Sequence, residues 1–200
     1  MNATNHHRGV KLPVEPLSED EVMRLLNAPS NRAPTGIRNR ALIVLLWRAG
    51  LRVSEALALM PKDLDCKAGT IRALRGKGCK ARTVGIDPEA WAIIQRWLDK
   101  RKQLGISGHR SLICTLNGGP MNKSYVRSLL PRLARKAGIG KRVHAHGLRH
   151  TMAVELRQEG VDVGIISKQL GHSSIATTAR YLDHIAPQAV IDAMAKRVWK

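Results

Sequence analysis

Four short segments carry side chains whose types and spacing could do chemistry. In Ala49-Gly-Leu-Arg52-Val-Ser-Glu55, an arginine follows a helix-ending glycine and opens a new helix among apolar neighbours. A guanidinium held there costs desolvation unless an anion or a carboxylate meets it. Glu55, three residues on, could hold the fork in place, so an anion clamp and a plain surface pair are equally good readings of this segment alone. In Arg75-Gly-Lys77-Gly-Cys-Lys80-Ala-Arg82, glycines flank a basic turn, and their backbone freedom would let Lys77 approach a phosphodiester closely. The segment contains no GxxxxGK[ST] pattern, so it gives no support to nucleotide binding of that kind.

The third segment, His144-Ala-His146-Gly-Leu-Arg149-His150, places His146, Arg149 and His150 on one face of a helix. The two outer histidines have a metal-pair spacing, but the acidic residue of a zinc protease motif is missing and Arg149 would repel a cation. An imidazole beside a guanidinium suits a phosphoryl group better: one moves a proton, the other neutralises charge. In the fourth segment, Leu170-Gly-His172-Ser-Ser, a glycine breaks one helix and a serine can cap the next, which carries Tyr181 nine residues after His172. A tyrosine on a helix is far more often core than catalytic, so Tyr181 by itself establishes nothing.

These residues need a scaffold, and the apolar periodicity supplies one. Ser18 and Glu21 form a capping box for a helix through about Asn27. An apolar helix is expected over residues 38 to 49, ended by Gly50, and a short one over 53 to 60, stopped by Pro61. Leu64, Ile71, Val84 and Ile86, spaced among glycines, predict a small antiparallel sheet with a basic hairpin turn. Pro88 opens a helix to about residue 104, followed by a short strand over 112 to 115. A helix over 122 to 137 has Val126, Leu129, Leu130 and Leu133 on one side, with Pro131 expected to kink or interrupt it. Helices over 146 to 159, 162 to 170, 174 to 184 and 187 to 198 complete a mainly α fold with one small antiparallel sheet (α+β).

Bulk composition narrows the partner. Thirty-four Lys and Arg against 15 Asp and Glu give a net charge of +19, which predicts a polyanion. Nucleic acid fits best, because no single amphipathic basic helix stands out for a membrane surface. The lack of Phe and the presence of only two tyrosines, Tyr125 and Tyr181, argue against an RNA reader built on stacked aromatics. The longest apolar run, residues 41 to 47, falls far short of the roughly 20 residues a membrane span needs. The polar, histidine-rich start does not look like a secretory signal. Cys66, Cys79 and Cys114 are scattered, and read as free thiols in a reducing compartment.

Taken in order, GLRVSE, GKG in a basic hairpin, HGLRH, and LGH followed by a tyrosine closely resemble the tyrosine recombinases of the phage integrase family, from about Pro16 onward. The resemblance implies that family's catalytic-domain fold and a covalent 3′-phosphotyrosyl intermediate, formed without metal, ATP or other cofactor. By matching position, Tyr181 would be the nucleophile. Arg52 and Arg149 would clamp the non-bridging oxygens, Lys77 would protonate the leaving 5′-oxygen, His146 would act in proton transfer, and His172 would hydrogen-bond the phosphate. Glu55 and His150 are expected to support these groups from behind.

Double-stranded DNA is then the expected partner. Arg75, Lys80, Arg82, Lys123, Arg127, Arg132 and Arg135 are expected to contact it, mostly at phosphates, and the helix over 122 to 137 is the candidate for the major groove. Tyr125 is expected either to face DNA or to pack. The resemblance also implies an oligomer on DNA, a tetramer in the synapse, with the helix over 187 to 198 exchanged between protomers and an accessory DNA-bending protein possible. The expected organisation is a basic lead-in at 1–17, a catalytic domain at 18–186 and the exchanged helix at 187–200, in a cytoplasmic, nucleoid-associated protein of a prokaryote or phage. Most relatives carry a further N-terminal helical domain. Its lack here is compatible with a minimal recombinase, an excised domain or a subunit needing a partner, and Met1 favours the first. A DNA-binding regulator of the same fold with little turnover is the alternative, and the full set of chemical side chains speaks against it.

Overall fold

The computed structural model describes residues 15–74, 81–172, 174–182 and 194–195. Among these are eight α-helices and a three-stranded antiparallel sheet. The first helix, α1 (Glu19–Asn27), starts at Ser18 with the expected capping box: the Ser18 hydroxyl accepts from Glu21 N–H, and the Glu21 carboxylate accepts from Ser18 N–H. The second, α2 (Pro34–Trp47), begins four residues earlier than expected, because Pro34 is preset for a first helical turn and lacks the N–H that would go unpaired there. It is buried on nearly all sides and forms the centre of the core, packed against α4 (Pro88–Gln103) and α6 (Ala145–Gln158). Each such buried Leu or Ile contributes roughly 1.5–3 kcal/mol by leaving water.

Past Gly50, which takes a left-handed φ of 60°, the chain enters α3 (Val53–Ala58). This helix ends two residues sooner than expected. Pro61 disfavours helical geometry in the residue before it, and Met60 is extended at φ −108°, ψ 155°. The sheet follows as β1 (Leu64–Asp65), β2 (Thr70–Ala73) and β3 (Arg82–Gly85), in the order β1-β2-β3, with Ile71 opposite both Leu64 and Val84. Ile71, Ala73 and Val84 are fully buried, which fixes the register.

The strand expected over 112 to 115 does not form. Leu112, Ile113 and Cys114 are fully buried, but the chain turns back at once, Thr115 N–H bonding Gly119 O, and only a single bridge joins Cys114 to Pro120. The basic helix α5 (Lys123–Lys136) starts at Asn122, whose side chain accepts from Tyr125 N–H, and it runs through Pro131 without interruption. Finally α6, α7 (Val163–Leu170) and α8 (Ile175–Leu182) follow in the final third. Glu15 to Leu17, within the expected lead-in, already join the domain: Leu17 is buried and its N–H bonds the Thr151 hydroxyl. The expected helix over 187 to 198 lies outside the described residues apart from Met194 and Ala195, which are helical.

Candidate active site

Three turns meet at one end of the helical core, and Arg149 joins two of them. Its position on α6 is set by His144, whose Nδ1 caps the helix by accepting from Gly147 N–H at 3.0 Å. Arg149 is 3% exposed, and its two terminal nitrogens donate to Gly50 O and Leu170 O. Gly50 belongs to the turn that delivers Arg52, and Leu170 to the turn that delivers His172. The packing at Gly50 is equally close, since a Cβ there would stand 2.1 Å from Met152 Cε.

Arg52 is the N-cap residue of α3. Its backbone N–H donates to Glu55 Oε2 at 2.9 Å and its guanidinium to Glu55 Oε1 at 3.1 Å, while its side chain stays 39% exposed. Glu55 is 4% exposed and holds a second arginine: Arg82 donates to both carboxylate oxygens, at 2.7 and 3.0 Å. Burial alone would raise the Glu55 carboxyl, but the bidentate Arg82 fork and the Arg52 N–H bring it down to about 2. The support expected of Glu55 therefore has a geometric form. For Arg82 the position differs from that of an open phosphate contact, because its side chain is 12% exposed and its fork is committed to Glu55.

His146 keeps an exposed edge, its ring parallel to that of His144 with centroids 6.3 Å apart. Partial loss of hydration and the positive neighbours His144, Arg149 and Arg52 hold its imidazole below the usual value, in the neutral form that can take up a proton. His172 Nδ1 lies 2.8 Å from the Thr178 hydroxyl on α8, and Thr178 is fully buried. Tyr181 is in the last turn of the same helix, three residues beyond Thr178. His150 is buried within α6.

Arg75, Lys77 and Lys80 lie outside the described residues. The four cations expected on α5 (Lys123, Arg127, Arg132 and Arg135) are all exposed, and α5 packs on α3 and α6, next to the helices that bear Arg52, His146 and Arg149. Tyr125 proves to be a packing residue: its hydroxyl accepts from the buried Arg38 at 2.6 Å and donates to Asn39 Oδ1 at 3.2 Å. A cavity of about 930 Å³ lies elsewhere, between α1, α2, α4 and α6, and Glu19, Asp87, Glu155 and Glu159 among its walls make it unsuited to a polyanion. Among the described residues no three His, Cys, Asp or Glu side chains gather as a metal site, and no helix is long and apolar enough to cross a membrane.

Sequence reasoning missed His144 and Thr178. A polar residue at each position was visible, but that it would cap α6 or hold His172 depends on how two turns close.

Comparison with known proteins defines the class. The model of the phage integrase family matches residues 15–187. The tyrosine recombinase XerC of Xanthomonas axonopodis pv. citri (strain 306) is 37% identical over 171 residues, which is 86% of this chain and 54% of that protein. The crystal structure of XerA recombinase superposes with a TM-score of 0.80 at 31% identity, over 92% of this chain and 66% of that one. XerH site-specific recombinase, in a post-cleavage complex with palindromic difH substrate, gives 0.74 at 28% identity over 96% and 55%. The chain belongs to the phage integrase family, and its fold is the tyrosine recombinase catalytic domain expected from the motifs. It spans about half the length of the curated relatives it matches.

Proposed function

We propose that this chain is a site-specific DNA recombinase that breaks and rejoins double-stranded DNA through Tyr181. The reading rests on one observation above all: Arg149 donates to Gly50 O and Leu170 O, tying together the turns that lead to Arg52 and His172, and α8 packs on α6 and α7. A tyrosine hydroxyl has a pKa near ~10, so it needs help in losing its proton at attack. Tyr181 oxygen forms a bond to the scissile phosphorus, the bond from phosphorus to the 5′-oxygen breaks, and the product is a 3′-phosphotyrosine with a free 5′-hydroxyl. His146 moves the proton of the nucleophile, and Lys77 supplies one to the leaving oxygen.

Arg52 and Arg149 neutralise the charge growing on the non-bridging oxygens, His172 hydrogen-bonds one of them, and no metal is required. Rejoining is the same path in reverse and needs no ATP, because the phosphotyrosyl bond conserves the energy of the link. Lys123, Arg127, Arg132 and Arg135 hold the duplex by its phosphates, with Arg75 and Lys80 adding to that field. The chain works as an oligomer on DNA, a tetramer in the synapse, with residues 187–200 docking on a neighbour. Deleting 187–200 is then expected to impair assembly on DNA, and an unchanged tetramer from the truncated chain contradicts the exchange.

The test of the chemistry is covalent trapping on nicked suicide duplexes, run without metal and resolved on a denaturing gel. Wild-type protein is expected to give a shifted protein–DNA band and Tyr181→Phe none. Tight DNA binding with no band from either chain, across a wide set of sites, favours a subunit needing a partner or the regulatory reading instead.

A further inference from the structure

Strand β3 is paired on one side with β2, and its other edge is closed in an unusual way. Gly85 N–H donates to Gln169 Oε1 at 3.0 Å, and Gly85 C=O accepts from Gln169 Nε2 at 2.9 Å. One side-chain amide from α7 thus stands where the peptide of a further antiparallel strand would be. The same residue is tied to the arginines. Its main-chain carbonyl accepts from Arg82 Nε at 3.3 Å, and Arg82 runs so close under Gly171 that a Cβ there would lie 2.6 Å from Arg82 Cδ. Arg82 in turn holds Glu55, and Glu55 holds Arg52. A continuous set of hydrogen bonds therefore runs from the Arg52 guanidinium to a residue three places before His172.

We infer that Gln169 is a positioning residue for strand cleavage: its amide clamp on Gly85, with the Arg82–Glu55 pair beside it, keeps Arg52 and the His172 turn at a fixed spacing around the scissile phosphate. The inference rests on the cleavage reading above. Neither end of the frame works alone, since two groups that bind the oxygens of one phosphate must hold their separation to a fraction of an ångström. Gly85 is exposed, so water can replace the amide when it is removed and the fold survives the change.

The test uses the full chain, Gln169→Leu, and two nicked suicide duplexes that differ only at the scissile position, a phosphodiester in one and a methylphosphonate in the other. The methylphosphonate lacks one non-bridging charge and so depends less on well-placed cations. Gln169→Leu is expected to slow covalent-complex formation on the phosphodiester by roughly 10- to 100-fold, and on the methylphosphonate by only about threefold or less. The ratio of the two losses does not depend on how much of the variant is folded. Equal slowing on both substrates, or none on either, overturns the inference. So does a wild-type chain that cleaves the phosphodiester and leaves the methylphosphonate untouched, for then the charge on these oxygens is not what the frame serves. A wild-type chain that reacts with neither removes the cleavage reading itself, and this inference with it.

Discussion

Among the described residues three arginines, Arg38, Arg101 and Arg149, are almost wholly buried on helices and bonded to main-chain carbonyls, and the last two use that bonding in different ways. Arg101, on α4, is 2% exposed and donates to the carbonyls of Ser107, Arg110, Ser111 and Leu112 and to Cys114 Sγ, all within 13 residues of it. It pins one local loop, and burial lowers its pKa. Arg149 reaches residues 99 and 21 positions away and binds two turns that each deliver a chemical side chain. The same interaction closes a loop in one place and joins the turns of the candidate site in the other, so burial and bonding alone do not mark function. What marks it is the content of the segments that the guanidinium joins.

The largest effect expected from breaking this comparison is on catalysis by Arg149→Ala. It should lower the rate of covalent-complex formation about 10²- to 10³-fold, the usual cost of losing one donor to a developing oxyanion, as read in single-turnover cleavage. Arg101→Met should do the reverse. It leaves several buried carbonyls without a donor and costs about 3 kcal/mol in denaturant unfolding, while cleavage per folded molecule stays unchanged.

Next in size is the acid response of Glu55. Its carboxyl falls from 4.5 to about 2 on folding, so the stabilisation is fully present above pH 4.5 and is lost as the pH drops towards 2. Wild-type protein should lose about 3 kcal/mol across that window, and Glu55→Gln, already less stable at neutral pH, should show a much flatter profile. Gly171→Ala is a milder probe of the same frame. With φ at 63° and Arg82 in the way, it should cost about 1–2 kcal/mol and slow cleavage by moving His172. The smallest effect belongs to the exposed helix face: Lys123→Ala or Arg127→Ala should each weaken DNA binding at all sequences alike and reduce the salt slope by about one.

The segments of the candidate site were legible because their order and content are unusual, and helices of the scaffold around them have strong caps at Ser18, Asn122 and Asp162. The pairings between segments were less so. Arg82 reads in sequence as one more cation of a basic hairpin, and only the fold reveals that a carboxylate 27 residues away takes its fork. Arg101 sits between Lys100 and Lys102, and its burial shows only in helical phase, four residues after Trp97 and seven after Ile94. The apolar run at 112 to 114 has the composition of a strand, but no neighbour extends the ladder beyond one bridge. Gln169 gave no signal at all, since an amide that mimics a strand edge can be recognised only once the edge is in place.

The most direct measurement is to isolate the covalent complex formed by wild-type protein on a suicide duplex, digest it with protease and nuclease, and map the nucleotide by mass spectrometry. The account predicts a single adduct, on the peptide containing Tyr181, joined through the 3′-phosphate of the cleaved strand. An adduct on Tyr125, a 5′-phosphate linkage, or cleaved DNA with no protein attached would contradict it.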